Sequence, residues 1–283
     1  MSHLRKRLLD EGYAIVPGLL DGPQRRRLRT AIDRHFAAAG NIFKLGMTQP
    51  NAAVMMPDVT PVLHDPRVIR SFRHVLGTND IVFTGHCDVH RGMFSGWHKD
   101  TGPDHGYFAE DCFAPGCEVY KMGIYLQDHR DGDGLTVVPG SHRSRTIDEA
   151  GARRLRTMPG DAVIFDVRIT HRGKTSDRVD KWLYRGNQAV KIAAARLSGR
   201  PVAKDDLRAA YMLRRAWDVA THRAHRHSIF FTFGQANRFT EQFAAANWVR
   251  QAGQNRAEGE LPPTLVAQLR AQDVLIAEAI RSG

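Results

Sequence analysis

From about residue 81 onward, the chain is a succession of short strand-like runs, and this pattern constrains the fold more than any other feature of the sequence. The runs are rich in Val, Ile, Phe and Tyr, and turns containing Gly, Asp or Pro separate them. Short strands repeated in this way are typical of an all-β sandwich or barrel. The predicted strands are 81–90, 118–127, 134–138, 162–167 and 227–233.

Helices are predicted to precede these strands. Asp21 stands two residues before Pro23, and an Asp ahead of a first-turn Pro favours a helix start. A short apolar strand, 13–18, is predicted to end at a Pro-Gly pair, and residues 41–62 are predicted to be irregular. The predicted helices of this region are 3–12, 21–39 and 66–76.

A helical segment interrupts the strand pattern in the second half of the chain. Residues 179–222 are rich in Arg and Ala and have helical character, and the strand pattern resumes at 227. We therefore predict that 179–222 is an insertion between two strands. The tail, about 238–283, is predicted to be helical, so residues 1–283 are expected to form one domain that is mainly β with flanking helices.

Composition places the chain among ordinary globular proteins. Its 283 residues include 42% hydrophobic ones, and no apolar run approaches the roughly 18 residues needed to span a bilayer. The basic first residues are not followed by the apolar core of a signal peptide. The three cysteines cannot all pair within one chain, and their spacing matches no zinc motif. A reducing cytoplasm is therefore the expected location.

The chain is strongly basic, with a formal net charge of +11. Such a charge can indicate a nucleic-acid surface or an anionic substrate. The Arg residues are scattered, however, and the densest clusters lie in helix-like stretches without interleaved aromatic residues. Solvated helix faces are therefore favoured over nucleic-acid binding, and a polar or anionic small molecule is the expected partner. These clusters are at 25–27, 153–154 and 214–215.

The tripeptide His-x-Asp occurs three times, and roughly one copy is expected by chance from the composition. His129 and Asp131 lie in a polar Gly-rich turn, where a solvated role is expected. His86 and Asp88 lie within a strand-like run, but no second His follows in a comparable setting. A structural role is therefore favoured for both of these copies.

The third copy, His98 and Asp100, lies between a Gly-containing segment and a Gly-Pro break. Residues two apart at a strand end point the same way, so one metal ion can take both side chains. A lone His171 follows the strand-like segment 159–165. Two imidazoles and one carboxylate with open coordination positions are the usual ligands of non-haem Fe(II) oxygenases. The pattern thus indicates an open iron site at His98, Asp100 and His171.

Four segments, in this order and spacing, resemble the phytanoyl-CoA dioxygenase-like family of Fe(II)/2-oxoglutarate-dependent oxygenases. They are 12–20, 97–100 (Trp-His-Lys-Asp), 126–142 and 159–165 leading to His171. The resemblance covers roughly 10–175 and resumes at about 225–240. It implies a double-stranded β-helix, a jelly-roll or cupin-like core, with N-terminal helices. This implied fold agrees with the strands read from the residues themselves.

The resemblance also implies a reaction. His98, Asp100 and His171 would bind Fe(II), 2-oxoglutarate would take two of the open positions and O2 the third. Decarboxylation of 2-oxoglutarate to succinate and CO2 would then drive oxidation of a substrate C–H bond. A related halogenase would need a small residue at position 100 for chloride to reach the iron, so hydroxylation or another oxidation is expected.

The distal carboxylate of 2-oxoglutarate needs a cationic anchor, and the planar fork of Arg suits this role. The family places this Arg at the start of the strand after the distal His, about ten residues on. Arg178 and Arg185 lie near that offset, but neither begins a convincing strand, whereas Arg226 does. Arg226 is therefore the predicted anchor, displaced by the insertion, and Arg178 is the alternative.

Further co-substrate contacts are predicted nearby. The strand over 118–126 would place Lys121, Gly123 and Tyr125 on one face, toward 2-oxoglutarate, although Tyr125 could equally be a packed core residue. Thr175 and Ser176 could donate hydrogen bonds to the co-substrate.

Other residues near the motifs are assigned structural or substrate-facing roles. His142 follows a Pro-Gly-Ser turn and is expected not to be a ligand, and Trp97 is expected to pack beside the site. The segment 101–117 is expected to line the substrate entrance. Residues 41–56 and the insertion 179–222 could close over it as a lid, and the insertion could instead form a homodimer interface, so both a monomer and a homodimer remain open.

Three functions remain open at this point. The leading one is a 2-oxoglutarate-dependent dioxygenase that acts on a small molecule, such as a specialised metabolite. The basic charge would also suit an oxygenase that modifies nucleic acid or protein. The third is a non-catalytic jelly-roll binding protein with a vestigial metal site, against which the intact His, Asp and His set argues.

Overall fold

The computed structural model of the protein describes residues 2–38, 46–127, 134–174, 178–199, 208–221, 226–255 and 259–280. Within these ranges the protein is mainly antiparallel β structure with flanking helices, which confirms the predicted jelly-roll core. A larger sheet has the strand order β1-β7-β4-β9-β3-β10, with β2 also pairing with β3, and a smaller sheet has the order β6-β5-β8. The strands are β1 (Tyr13–Val16), β2 (Met47–Gln49), β3 (Ile81–Arg91), β4 (Val119–Tyr125), β5 (Thr136–Val137), β6 (Arg153–Arg154), β7 (Ala162–Asp166), β8 (His171–Arg172), β9 (His227–Gln235) and β10 (Leu275–Ile276).

Helices flank these sheets at both ends of the chain and between β8 and β9. None of the described helices is both long and apolar enough to cross a membrane. The helices are α1 (His3–Glu11), α2 (Gly22–Ala38), α3 (Ala52–Met55), α4 (Thr60–Leu63), α5 (Pro66–Leu76), α6 (Arg178–Ser198), α7 (Arg208–Ala220), α8 (Arg238–Asn255) and α9 (Pro263–Arg270).

Two parts of the chain differ from the sequence prediction. The segment 46–62, predicted to be irregular, contains β2, α3 and the start of α4. The tail, predicted to be helical, also contributes β10, which pairs in parallel with β3. These elements have two to four residues each, too few for a periodic pattern of apolar residues, and tertiary pairing decides their conformation.

Hydrophobic cores lie on both sides of the larger sheet. On its outer face, α5 packs against β9, with the ring centroids of Phe72 and Phe233 4.5 Å apart. Between the two sheets, Val163 and Phe165 of β7 share a buried cluster with Val137 of β5. This second core borders the cavity described below, which Phe165 also lines.

A bulge in β3 sets which side chains reach that space. The pairing of β3 with β9 shifts between Phe83 and Cys87, and Gly85 within the bulge has φ +75°. A Cβ at Gly85 would lie 2.8 Å from Cδ1 of Ile280, so glycine is needed there both for its conformation and for space. Beyond the bulge, Cys87 belongs to the main core, whereas the next residue, Asp88, lies on the opposite face of the strand and lines a cavity.

Asp65 caps α5, and its loss is expected to destabilise the protein. Its carboxylate accepts a hydrogen bond from the Arg67 backbone N–H at 2.9 Å. Burial opposes ionisation, but the hydrogen bonds from Arg67 hold the pKa of Asp65 below its usual range. Asp65→Ala should lower the free energy of unfolding by about 1 kcal/mol at neutral pH in urea titrations.

The same carboxylate predicts how this difference depends on pH. Because the folded pKa of Asp65 lies below the unfolded one, its contribution is present above the unfolded pKa and is lost as the pH falls through the folded pKa. The difference between wild type and Asp65→Ala should therefore shrink below about pH 4. An unchanged difference at acid pH would show that the charge of Asp65 does not stabilise the helix.

Candidate metal centre and its cavity

Backbone pairing brings together two histidines that are far apart in the sequence. His98 donates its backbone N–H to the carbonyl of His171 at 2.9 Å, and His171 donates to the carbonyl of His98 at 3.0 Å. Asp100 donates its N–H to the carbonyl of Val167 at 2.8 Å. The segment that contains His98 and Asp100 thus pairs with the segment that leads into β8. This pairing brings the side chains of His98, Asp100 and His171 close together.

The side chains of His98, Asp100 and His171 converge. Their potential ligand atoms all lie within 4.8 Å of one another. Nε2 of His98 is 3.7 Å from one carboxylate oxygen of Asp100, and Nε2 of His171 is 3.4 Å from the other. Among the described residues, these three make up the group of His, Cys, Asp or Glu side chains that could hold a metal ion.

Hydrogen bonds orient both imidazoles. Nδ1 of His98 lies 2.8 Å from the carbonyl oxygen of Gly96, and Nδ1 of His171 lies 3.1 Å from that of Ile169. A carbonyl can only accept, so each Nδ1 carries a proton, and each Nε2 is the ring nitrogen directed toward Asp100. Such backbone acceptors commonly fix the tautomer and the ring orientation of metal-binding histidines.

The electrostatics of the site favour the protonation states that a metal requires. Burial, followed by the neighbouring His98, lowers the pKa of His171 to about 3, so His171 is a neutral imidazole. Burial opposes ionisation of Asp100, but the ammonium group of Lys121, 2.8 Å away, outweighs it and holds the pKa of Asp100 well below its usual range. A neutral His171, an ionised Asp100 and the imidazole of His98 form a ligand set that fits a six-coordinate Fe(II) ion with three positions left open.

A cavity of about 370 Å³, here called the site cavity, opens beside the three ligands. Its walls come from β3, β4 and β9 of the larger sheet and from the segments 92–95 and 173–174. Gly123 of β4 leaves room for the ring of Phe230, since a Cβ there would lie 2.6 Å from Cε1 of that ring. The cavity lies between the two sheets, where a jelly roll leaves space for a small ligand.

Lys121 and Tyr125 both line the site cavity from β4. Nζ of Lys121 lies 2.8 Å from Asp100, so this residue contacts a candidate ligand directly. Tyr125 is buried, with its ring 6.0 Å from that of Phe230, and burial raises the pKa of its phenol, which therefore stays protonated. Lys121 and Tyr125 thus lie on the same face of β4, as the alternation of side chains along a strand predicts.

Arg226, the predicted anchor, also lines the site cavity. It directly precedes β9, and its guanidinium carbon lies 5.6 Å from the centroid of Phe94. Nζ of Lys174 lies 5.9 Å from the same ring, so two cations flank Phe94 in the cavity wall. Arg178, the alternative, is exposed at the start of α6 and lines a different groove.

The structure locates two of the other residues considered in the sequence analysis, His142 and Trp97, and does not describe several others. Thr175 and Ser176 lie outside the described residues, as does the His129 copy of the tripeptide. His142 is buried, with Nε2 3.2 Å from the carbonyl oxygen of Leu9, and is not part of the ligand group. The ring of Trp97 packs under the guanidinium of Arg172 at 4.6 Å.

Sequence reasoning missed four titratable residues of the site cavity: Asp88, His90, Lys174 and Arg250. Asp88 accepts from Nη2 of Arg250 at 3.4 Å and lies 3.2 Å from Nε2 of His86. The alternation within 81–90 could have identified Asp88 and His90 as sharing one face. Arg250 lies half-buried on α8, where nothing in the local sequence distinguishes it from other helical arginines.

A second cavity, of about 620 Å³, lies on another side of the ligands. His98, Asp100 and Lys121 line both cavities, so the candidate metal centre stands between them. Part of the segment 101–117, predicted to line the substrate entrance, borders this cavity, including Thr101 and Tyr107. Three other residues of that segment, Phe108, Cys112 and Cys117, pack into a separate core with Phe239 and Phe243.

No protein-family model matches the sequence, and no curated protein matches it. Solved structures do match the fold. The non-haem α-ketoglutarate-dependent carbocyclase SnoK from nogalamycin biosynthesis has a TM-score of 0.55 at 13% identity, over 84% of this chain and 85% of that chain. HygX from Streptomyces hygroscopicus, solved with nickel and 2-oxoglutarate, has a TM-score of 0.54 at 12% identity, over 83% and 88%.

A third match is the epimerase SnoN, solved with Fe3+, α-ketoglutarate and nogalamycin RO. Its TM-score is 0.52 at 15% identity, and the match covers 82% of each chain. At these identities the similarity concerns the fold. The chain therefore has the jelly-roll fold found in non-haem, 2-oxoglutarate-dependent enzymes, and the narrower resemblance to the phytanoyl-CoA dioxygenase-like family stays a prediction.

Proposed function

We propose that this protein is an Fe(II)- and 2-oxoglutarate-dependent dioxygenase that oxidises a C–H bond of a small molecule and releases succinate and CO2. One observation carries the proposal: two imidazoles, each with Nδ1 bound to a backbone carbonyl, present Nε2 beside an ionised carboxylate at the wall of a cavity. Fold relatives whose structures hold Fe3+ or nickel with 2-oxoglutarate support it.

His98, Asp100 and His171 would hold the iron. When bound, Fe(II) would supply activation of O2 coupled to decarboxylation of 2-oxoglutarate. The protein's own contribution is to keep His171 neutral, to orient both imidazoles through their Nδ1 hydrogen bonds, and to keep Asp100 ionised beside Lys121. Asp100 occupies the position that a halide would need, so hydroxylation or another oxidation is favoured over halogenation.

The site cavity would take 2-oxoglutarate. Arg226 would hold the distal carboxylate, because its guanidinium can donate two parallel hydrogen bonds, and Lys174 would add a second cation. Lys121 and the protonated phenol of Tyr125 would donate from the strand below. Thr175 and Ser176, which directly follow Lys174 in the sequence, would complete this set of donors.

The second cavity would take the substrate, because it borders the same ligands from another side. Charged side chains in its wall, among them Asp104, Arg145 and Arg250, suit a small molecule with polar groups. HygX has been solved with hygromycin B, and SnoN with nogalamycin RO, so related folds accommodate specialised metabolites. We propose a substrate of that general kind.

Succinate release provides the direct test. Purified protein with Fe(II), ascorbate, O2 and 2-oxoglutarate should release succinate slowly without substrate and faster with a substrate. Calorimetric titration should also show that 2-oxoglutarate binds only after a divalent metal has been added. Well-folded protein that binds neither the metal nor 2-oxoglutarate would rule out the proposal.

The anchor residue can be tested separately. Arg226→Gln removes the proposed charge-assisted hydrogen bonds and is expected to raise the KM for 2-oxoglutarate by roughly 10- to 100-fold. Metal affinity should change little, since the Arg226 side chain is not among the metal ligands. Arg178→Gln, at the alternative position, should leave the KM unchanged. The reverse pattern would assign the anchor to Arg178.

A further inference from the structure

Exposed apolar side chains are concentrated on α6 and α7. Among the described residues, thirteen large hydrophobic side chains are exposed, and eight of them lie on these two helices. Single exposed apolar residues are normal, but such a concentration marks an interaction surface. The eight are Trp182, Tyr184, Val190, Ile192, Leu197, Met212, Leu213 and Trp217.

Part of this apolar surface forms a groove between the two helices. The groove has a volume of about 480 Å³, and Trp182 of α6 and Trp217 of α7 both line it. Their side chains are 67% and 47% exposed, although Trp is a residue that folding normally buries. Leu183 lies at the groove and is itself buried.

The exposed apolar side chains are not on the faces that hold the helix pair in place. Asp180 of α6 is buried and forms ion pairs with Lys174, at 3.7 Å, and with Arg214 of α7. Asn187 of α6 is buried as well and accepts a hydrogen bond from the Ala210 N–H at 3.3 Å. These buried polar contacts define the inner side of the pair, so the tryptophans face outward.

The same two helices are strongly basic. They contain eight Lys or Arg residues and two Asp residues, so they carry a net +6 of the chain's +11. On α6, at about 100° per residue, Trp182, Val190 and Leu197 share one stripe. The neighbouring stripe holds exposed basic residues, namely Arg178, Lys181, Arg185 and Arg196.

We propose that this α6–α7 surface, made of Trp182, Val190, Leu197, Leu213, Trp217 and the four exposed basic residues of α6, binds the anionic surface of a lipid membrane. A basic stripe beside exposed Trp and Leu is the composition of helices that lie in the interface of anionic bilayers. Tryptophan suits that position because its ring is apolar and its indole N–H is polar.

Two other occupants fit the surface less well. A second copy on a two-fold axis would bring two surfaces of the same positive charge together, which costs free energy. Single-stranded nucleic acid would use the aromatic rings and the charge, but it offers no partner for aliphatic side chains such as Val190 and Leu197. An anionic bilayer accounts for both the charge and the aliphatic residues.

Vesicle binding tests the proposal. The full chain should sediment with vesicles of phosphatidylcholine and phosphatidylserine, and much less with vesicles of phosphatidylcholine alone. Lys181→Gln, Arg185→Gln and Arg196→Gln combined should weaken binding by roughly fivefold per charge removed. A matched control, Arg27→Gln, Arg34→Gln and Arg70→Gln combined, removes three exposed charges outside α6 and α7 and should have a much smaller effect.

The apolar part needs its own variants. Trp182→Ser with Trp217→Ser should lower vesicle binding on the order of tenfold. Met158→Ser with Val249→Ser, which removes exposed apolar side chains elsewhere, should not. Circular dichroism establishes whether each variant is folded. If the tryptophan variant does not fold, the variants with exposed charges removed test the proposal by themselves.

Three results would overturn the proposal. The first is equal binding to neutral and anionic vesicles, or binding to neither. The second is absence of vesicle binding together with a dimer that the same variants dissociate in analytical ultracentrifugation. The third is absence of vesicle binding together with tight, salt-sensitive binding to a single-stranded oligonucleotide. None of these measurements depends on oxygenase activity.

Discussion

His171→Ala is expected to abolish succinate release and to weaken Fe(II) binding by more than roughly 100-fold. The substitution removes one of three converging ligands and leaves His98 and Asp100, which cannot alone hold an Fe(II) ion with an open face. The backbone bridge between His98 and His171 does not need the imidazole, so the fold should persist. Metal affinity can be measured by calorimetry with Co(II) and activity by succinate formation.

His142→Gln is the matched control, because His142 is also buried and lies in a sequence motif that suggests a ligand. Its contact is with the backbone of Leu9, so metal affinity and succinate release should stay within about threefold of wild type. Wild-type metal binding by folded His171→Ala would show that the three residues are not the metal site.

Phe233→Ala is expected to lower the free energy of unfolding by about 3–5 kcal/mol. Phe233 is wholly buried near the C-terminal end of β9, with its ring centroid 4.5 Å from that of Phe72 and 5.1 Å from that of Phe83. The substitution leaves a cavity between α5 and the larger sheet, where rigid strands on either side limit collapse. Urea unfolding followed by circular dichroism measures the loss.

Val249→Ala serves as the comparison, because Val249 is 73% exposed on α8. Its effect should stay within about 0.5 kcal/mol. A loss below about 1 kcal/mol for Phe233→Ala would mean that the ring stack between α5 and the sheet adds little to stability.

Much of the fold could be predicted because long elements carry a periodic pattern. The strands β3, β4, β7 and β9 and the helix α5 lie close to their predicted ranges, since each is long enough for burial to leave its mark on the residue types. Short elements such as β6 and β10 have two residues each. Their conformation depends on a partner strand that local sequence does not reveal.

Part of the candidate site could likewise be predicted from the sequence, and part could not. His98, Asp100 and His171 could be proposed from the sequence, because metal chemistry restricts which residue types can serve and the surrounding motifs fixed their order. Their actual convergence comes from backbone pairing between two distant segments. The contact of Lys121 with Asp100 and the position of Arg250 beside Asp88 likewise depend on how β4 and α8 pack against β3.

By itself, the sequence determined the class of fold and the residue types of a possible iron site, because strand periodicity and ligand chemistry are local properties of the chain. Only the tertiary structure decided which polar side chains share a cavity with those ligands, since that depends on strand register and on the bulge at Gly85. It likewise decided that α6 and α7 keep a basic, apolar surface exposed, because burial is a property of the packed molecule and of no single segment.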